Sequence, residues 1–235
     1  MTDRPSPASR NALIQSLESN DRAALLASVE RCELERGTTL VRKGDPIETI
    51  WFPEGAVGSI IAESTDGHRV EAGLVGRDGF LPVQVAVIDA PAAQTTIVQL
   101  PGQASSIEVA RLTSIMRERP AVRDALLAYV HVLTIQTAQT ALCNAIYQVE
   151  QRLARWLLMC HDRVDGNELP LIHEFVSIML GVRRATVTTA LHLLEEKRLV
   201  ASERACILIR DRVALEKLAG ASYGEPEDLY QRLID

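Results

Sequence analysis

Two short helical patterns that meet at Gly181 constrain the fold of this chain more than any other feature. Apolar residues precede and follow the glycine at the spacing that buries one face of each helix, namely Val176, Leu180, Val182, Val187 and Ala190. Small Ser177 would let two helices approach closely, and Gly181 would supply a turn with positive φ. The stretch Leu171–Lys197 therefore predicts a helix-turn-helix whose second helix starts around Arg183. The simpler alternative is two packed helices with a solvated face.

The outer face of the second predicted helix carries residues suited to DNA. Arginine and threonine side chains can bind phosphate oxygens and base edges in the major groove, which is wide enough to admit a helix. The residues predicted to bind DNA on this helix are Arg183, Arg184, Thr186, Thr188 and Thr189, with His192 on the same face.

Length and composition bound the class of protein. A chain of 235 residues with 47% hydrophobic residues can bury a core and is expected to form more than one domain. No stretch approaches the roughly 18 to 20 uninterrupted apolar residues of a membrane span, and the N-terminus lacks the apolar segment of a secretory signal. We therefore expect a cytoplasmic protein. Its cysteines, Cys32, Cys143, Cys160 and Cys206, lack metal-site spacing, so unpaired thiols are expected.

The net charge of −6 would argue against a nucleic-acid partner if the charge were evenly spread. It divides into −4 over residues 1–145, +1 over residues 146–217 and −3 over residues 218–235. The predicted helix-turn-helix region is therefore the least acidic part of the chain, which is compatible with DNA binding.

Turn residues punctuate the region from Cys32 to Ile107 at intervals of mostly ~8 to 12 residues, a pattern that predicts a small antiparallel β-barrel or sandwich. The strongest hairpin signal is Thr65–His68, between Ile60-Ile61 and Val70. Before this region, residues 11–30 predict two short amphipathic helices with Asn20 or Asp21 as the cap of the second.

Residues 121–144 predict one long helix after Pro120. Along it, one stripe follows alternating spacings of four and three, the period of about 3.5 of a two-stranded coiled coil: Leu126, Val130, Leu133, Thr137, Thr140 and Asn144. This stripe could pack on the chain's own β-domain. A second apolar stripe, through Leu127, Leu142 and Ile146, leaves more faces than one small domain covers and favours self-association through the first.

The remaining residues predict a helix over 147–163 and, after the helix-turn-helix, a two-stranded wing. Its strands are Leu199–Ala201 and Cys206–Ile209, and Arg204 in the turn between them is predicted to contact the DNA backbone. The tail from Gly220 onward is acidic, and both a mobile appendage and a short closing helix fit it.

This order of elements is similar to that of the cyclic-AMP receptor and fumarate–nitrate regulator (Crp/Fnr) family of bacterial transcription regulators. The resemblance covers roughly residues 11–217 and rests on segments spread along the chain, namely Leu40–Pro46, Ile50–Pro53, Asp66-Gly67, Gly76–Gly79, Glu150–Leu158 and Gly181–Thr188. It implies an α+β fold in which a cyclic-nucleotide-binding-like antiparallel β-barrel (jelly roll) senses a signal, a long helix dimerises the protein and a winged helix-turn-helix binds DNA. The corresponding ranges are 11–118, 119–145 and 146–217, followed by an acidic C-terminal tail at 218–235.

The resemblance also implies a homodimer on an inverted-repeat operator, because two-fold protein symmetry matches half-sites about one DNA turn apart. Its further implied partners are RNA polymerase and a small-molecule effector; no membrane partner and no enzymatic activity are expected. The alternative is a ligand-binding or protein-interaction module whose winged domain docks proteins.

The chain departs from the family pattern where relatives bind cyclic nucleotides. Relatives hold the ribose and cyclic phosphate with a Gly-Glu pair and an Arg followed by a small hydroxyl residue, and Leu81-Pro82 and Ala92-Ala93 stand at those places. No positive charge lies between Arg77 and Arg111, and a buried phosphate without a partner costs several kcal/mol. Only Arg77, at the edge of the cassette, could supply one. These departures argue against cyclic AMP as the effector.

The chain also departs from the family's pattern for other cofactors. A single cysteine, Cys32, lies in the first 140 residues, which argues against an iron–sulfur cluster. Haem ligation stays open, since a histidine could serve as ligand, with His131 on the long helix nearest to a sensor interface; the other histidines are His68, His161, His173 and His192. No cofactor is identified.

The predicted recognition helix departs from the family as well. Family members often carry Arg, Glu and a second Arg here, and this chain has Arg184, Ala185 and Thr189. Without the carboxylate there is no acceptor for a cytosine amino group, and without the second Arg there is no bidentate guanine contact. We therefore expect an operator that differs from the family's best-known half-sites.

Overall fold

The computed structural model describes residues 9–234, in which the turn-punctuated region forms seven antiparallel strands. The strands are β1 (Glu30–Leu34), β2 (Thr39–Val41), β3 (Thr49–Pro53), β4 (Val57–Glu63), β5 (Arg69–Val75), β6 (Thr95–Leu100) and β7 (Gly102–Glu108). They form one sheet in the order β1-β7-β3 and a second in the order β2-β6-β4-β5. The predicted hairpin is confirmed, since β4 and β5 pair on either side of Gly67, whose φ is +88°.

The antiparallel fold is confirmed, but the described strands form two open sheets and not a closed barrel. At the β5 edge of the second sheet, Gln136 of the long helix binds the main chain where a neighbouring strand would pair. Its side-chain Oε1 accepts from Leu74 N at 2.8 Å, and its Nε2 donates to Leu74 O at 3.1 Å. Gln136 thus binds both main-chain polar groups of one edge residue, as a paired strand would.

The space between the sheets is filled from both sides and closed by helices. Ile50 and Phe52 of β3 pack in one cluster with Ile60 of β4 and Val75 of β5. The N-terminal helices α1 (Ala12–Gln15) and α2 (Ser19–Leu26) add Leu13, Ile14 and Leu25 to this cluster. The expected cap of α2 was wrong: Glu18 occupies the cap position, and Asn20 and Asp21 lie inside the helix.

Helix α3 (Val109–Glu118) ends before Pro120, and α4 (Pro120–Ile146) begins with this proline in its first turn, where the missing N–H costs nothing. Half of the predicted dimer seam packs inside the chain. Leu126 and Leu133 are 2% and 5% exposed within the cluster between the sheets, and Val130 packs against it. Thr137 and Asn144 are exposed, and Thr140 is half-buried.

The outward face of α4 is displaced by one residue from the predicted seam. It carries, at the same alternating spacings, Leu127, His131, Thr134, Ala138, Ala141 and Ala145. By length and composition α4 could cross a membrane, with a mean hydropathy of 1.2 in its most apolar window. The burial of Leu126, Tyr129 and Leu133 accounts for that apolar character within the chain's own core.

The C-terminal region forms a winged domain around a second apolar cluster. Its elements are α5 (Val149–His161), β8 (Glu168–Leu169), α6 (His173–Leu180), α7 (Arg184–Glu196), β9 (Val200–Glu203), β10 (Cys206–Ile209) and α8 (Arg212–Ala219). Helix α9 (Glu225–Ile234) follows and packs on α4. Three strands pair in the order β8-β10-β9. The sequence did not predict β8, since two residues leave no alternation to detect.

The acidic tail forms the closing helix that was one of its two predicted states. Helix α9 packs along α4, and the ring of Tyr230 meets the edge of Tyr129 with centroids 6.4 Å apart. Before it, Gln139 of α4 donates to Ala221 O at 3.2 Å. The C-terminal end of the chain is therefore packed on the long helix.

Candidate nucleic-acid interface

Helices α6 and α7 form the predicted helix-turn-helix. Gly181 ends α6 in the left-handed conformation, with φ of +61° and ψ of +37°, which a glycine adopts without strain. The helices bury the expected faces, with Val176, Met179 and Leu180 on α6 and Val187, Ala190, Leu191 and Leu194 on α7. The Ser177 hydroxyl donates to Glu174 O at 2.6 Å within α6, and Ser177 lines the cavity between α6 and the β4–β5 hairpin.

The start of α7 presents two free guanidinium groups. Arg183 is the residue before the helix, Arg184 is its first residue, and both are exposed. Within residues 9–234, no ion pair involves either arginine or Arg204. Arg183 lies at the rim of a cavity of about 1140 Å³ between the β4–β5 hairpin and the helix turn. These positive groups are available to an anionic partner.

The three predicted threonines differ in availability. The hydroxyls of Thr188 and Thr189 each donate to the carbonyl four residues earlier, at 3.2 Å, and Thr188 also contacts the ring Nδ1 of His173 at 3.3 Å. Thr189 is exposed, whereas Thr186 and Thr188 are half-buried. Thr188 therefore has a structural contact with His173 that no motif spacing predicts.

The wing places Arg204 at its tip, in a turn where Ala205 has φ of +59°. Three residues outside the predicted set support the wing and the helices. Glu195 of α7 accepts from Ser202 N at 2.6 Å, His173 contacts the Ser202 hydroxyl at 3.4 Å, and Arg152 of α5 donates to Leu180 O at the end of α6. These contacts join residues that no motif spacing relates, so sequence analysis missed them.

The loop over residues 81–93, where relatives have the cyclic-nucleotide cassette, is closed by hydrogen bonds between its own residues. Gln84 donates through Nε2 to Pro91 O at 2.9 Å and accepts at Oε1 from Ala93 N at 2.8 Å. Leu81 and Ala92 are buried. A groove of about 1030 Å³ runs beside this loop and α3, and Arg117 is the basic side chain that lines it.

A buried carboxylate links the sheet of β2, β4, β5 and β6 to the winged domain. Glu71 of β5 accepts from the Ser59 hydroxyl at 2.5 Å and from the indole Nε1 of Trp156, on α5, at 2.9 Å. Burial raises the pKa of Glu71 to about 7, although Ser59, Trp156, Arg155 and Arg163 each act to lower it. Around this contact, Ile61 and Leu74 share one apolar cluster with α5.

A buried ion pair makes the second link. Arg163, just after α5, donates to both oxygens of Asp78, at 3.1 and 2.6 Å, and to Met159 O at 2.8 Å. Burial is the largest single effect and lowers the pKa of Arg163, but Asp78, Tyr129, Asp162 and Glu227 together raise it above its ordinary value. The adjacent Gly79 lies so close to α4 that a Cβ atom there would stand 1.9 Å from Cζ of Tyr129.

The histidines are dispersed. His68, His131 and His192 are exposed, whereas His161 and His173 are hydrogen-bonded within the winged domain. In the part of the chain that the structure describes, no group of three or more His, Cys, Asp or Glu side chains could hold a metal ion.

This combination of a free arginine pair, a helix-turn-helix and a wing defines a winged helix-turn-helix DNA-binding protein. Residues 151–218 match the Crp-like helix-turn-helix domain. The chain is 26% identical over 221 residues to the global nitrogen regulator of Synechococcus elongatus, covering 89% of this chain and 98% of that protein. The chain thus contains a Crp-like helix-turn-helix domain and is similar over most of its length to a bacterial global regulator.

Solved structures show the same fold. The c-di-GMP-responsive global regulator CLP of Xanthomonas campestris superimposes with a TM-score of 0.64 at 19% identity, covering 82% of this chain and 99% of that one. FixK2 of Bradyrhizobium japonicum gives a TM-score of 0.67 at 16% identity, covering 82% and 98%.

Proposed function

We propose that this protein is a cytoplasmic homodimer that regulates transcription by binding an inverted-repeat operator through paired α7 helices. The observation that carries this proposal is the exposed, unpaired Arg183-Arg184 at the start of a helix whose opposite face is buried. Arg184 and Thr189 would reach base edges, and Arg183, Thr186, Thr188 and Arg204 would position the domain on phosphates.

The outward face of α4 supports the proposed dimer. Leu127, on this face, is 38% exposed, and Leu142 and Ile146, each one residue after a member of the face, are 47% and 62% exposed. Small Ala138 and Ala141 on the face would let a second helix approach. We therefore shift the proposed seam from the buried Leu126 and Leu133 to this face. The other four residues of the originally predicted stripe, Val130, Thr137, Thr140 and Asn144, would lie at the margin of this shifted seam.

Removing the arginine pair tests the DNA contact. Binding of R183A/R184A to the operator should weaken by at least about 10-fold, and the slope of log K against log salt should fall by about 0.9 for each phosphate that is no longer neutralised. The matched control is R117A/R123A, which removes two exposed arginines from α3 and α4 and should bind as the wild type does. Wild-type protein without salt-sensitive duplex affinity would refute the proposal and favour protein docking.

Selection from random duplexes tests the half-site. Since Ala185 and Thr189 replace an acid and an arginine, the selected inverted repeat should differ from the standard cyclic-AMP-receptor half-site at the base pairs that those residues face. Recovery of the standard half-site would contradict this.

We further propose an effector other than cyclic AMP, if the sensor sheets bind one. Two observations support this: Gln84 hydrogen-bonds to the main chain of its own loop, and no basic residue lies between Arg77 and Arg111 in the sequence. Operator affinity should therefore be unchanged by millimolar cyclic AMP, and an increase would contradict the proposal. Contact with RNA polymerase would follow if the protein activates transcription, which a reconstituted transcription assay measures.

A further inference from the structure

The wing of this protein is an edge strand whose position depends on side chains of the helix-turn-helix. In the order β8-β10-β9, strand β9 pairs on one side only, and an unpaired edge leaves its outward N–H groups without partners. The Ser202 N–H on β9 is bound instead by the carboxylate of Glu195 at 2.6 Å. Glu195 lies in the last turn of α7, so this bond runs directly from the recognition helix to the wing.

His173 makes a second, weaker connection. Ring Nδ1 of His173 lies 3.3 Å from the Thr188 hydroxyl of α7. Its ring Nε2 lies 3.4 Å from the Ser202 hydroxyl on β9. A single side chain at the start of α6 thus joins the recognition helix to the same wing residue that Glu195 holds.

We propose that Glu195 and His173 form a clamp that fixes the wing to the recognition helix, and that this clamp is required for full operator affinity. This inference rests on the proposed function. Arg204 lies two residues beyond Ser202, and the arginine pair lies at the opposite end of α7. Fixing Ser202 to α7 therefore fixes the spacing of the two DNA contacts before binding, which reduces the entropy lost when both engage one half-site.

The clamp predicts a change in operator affinity opposite to the change expected from charge repulsion alone. Removing a negative charge near DNA should strengthen binding through reduced repulsion. For E195A we expect the reverse, a loss of operator affinity of about 10-fold, since a hydrogen bond to a charged acceptor is removed and the wing becomes mobile.

The adjacent Glu196 provides a matched control. It is exposed on the same turn and, in the described residues, its side chain forms no hydrogen bond or ion pair with the wing. E196A removes the same charge and should bind the operator as tightly as the wild type or more tightly. E195Q keeps an oxygen that can accept from Ser202 N and should stay within about threefold of the wild type. Equal affinities of E195A and E196A would overturn the proposal.

A double-mutant cycle distinguishes positioning of the wing by Glu195 from a general loss of structure in the variant. If Glu195 acts through the wing, the loss in E195A/R204A should be smaller than the product of the two single losses. If the loss of operator affinity in the double mutant equals the product of the two single losses, Glu195 acts independently of the wing and the clamp is refuted. Should E195A fail to fold, S202A and H173A break the second connection alone and should each cost about threefold.

Hydrogen exchange tests the clamp without DNA. Amide exchange in residues 200–209 should accelerate in E195A and not in E196A, with an unchanged thermal midpoint. Unchanged exchange in E195A would overturn the proposal. A wild-type protein that binds no duplex would instead refute the proposed function, whatever the exchange data show, and with it the role of the clamp in operator binding.

Discussion

Replacing Glu71 by glutamine should remove a pH-dependent loss of stability that the wild-type protein suffers between about pH 4.5 and 7. The wild-type carboxyl has a pKa of about 7 in the folded state against an ordinary value of 4.5. The folded state therefore binds the proton more tightly than the unfolded state, so stability is highest below pH 4.5 and falls as pH rises through 7.

The magnitude follows from that difference. The two pKa values differ by 7 − 4.5 = 2.5, and each unit is worth about 1.4 kcal/mol, so the full loss above pH 7 is about 3 kcal/mol. Glutamine has the same shape, carries no charge and can still accept from the Trp156 indole. E71Q should therefore be about 3 kcal/mol more stable than the wild type at pH 8 and within about 1 kcal/mol of it at pH 4.5.

Urea unfolding followed by tryptophan fluorescence at several pH values and constant ionic strength measures this difference. Subtracting the two stability curves cancels the contributions of all other titrating groups. A difference that does not change between pH 4.5 and 8, or that grows as pH falls, would show that Glu71 is not a buried carboxylate with a raised pKa.

Three further perturbations test the packing between the domains and between protomers. G79A should lower the free energy of unfolding, measured with urea, by about 2 kcal/mol because its methyl group would overlap Tyr129. In the control G55A, the nearest atom to the added Cβ is 3.9 Å away, and the loss should be less than about 1 kcal/mol. D78N leaves buried Arg163 without its carboxylate and should lower the free energy of unfolding by about 3 kcal/mol. The control D165N, at an exposed ion pair, should lower it by less than about 1 kcal/mol. Equal losses in the two variants would contradict the stabilising role of the buried pair. I146E should shift the protein from dimer to monomer in sedimentation equilibrium while L233E, an equally charged change at an exposed leucine of α9, should not.

Local signals in the sequence predicted local structure well. The hairpin around Gly67, the helix-turn-helix around Gly181 and the restart of a helix at Pro120 each depend on backbone preferences of one or two residues. The order of these elements then indicated the resemblance to the Crp/Fnr family. The two strands of the wing were also predicted from a local signal, namely two short apolar runs on either side of a charged turn.

Features that depend on contacts between distant residues were not predictable in the same way. A period of 3.5 marks a buried stripe but does not say what buries it, so Leu126 and Leu133 were assigned to a partner when they pack in the chain's own core. The same limit applies to Glu195 and Ser202, whose bond depends on how the wing folds back on α7. The residues proposed to contact DNA are exposed or half-buried on the outer face of α7 and at the wing tip, and their roles stay predictions.

Gln136 has a consequence for how this chain can be divided. Because its amide group occupies the edge of β5 at Leu74, a fragment that stops at the end of α3 would present that edge to solvent. Exposed strand edges recruit other strands and promote aggregation. We therefore expect that residues 11–118 do not form an independent folding unit, and that the smallest soluble fragment containing both sheets extends at least through Gln136.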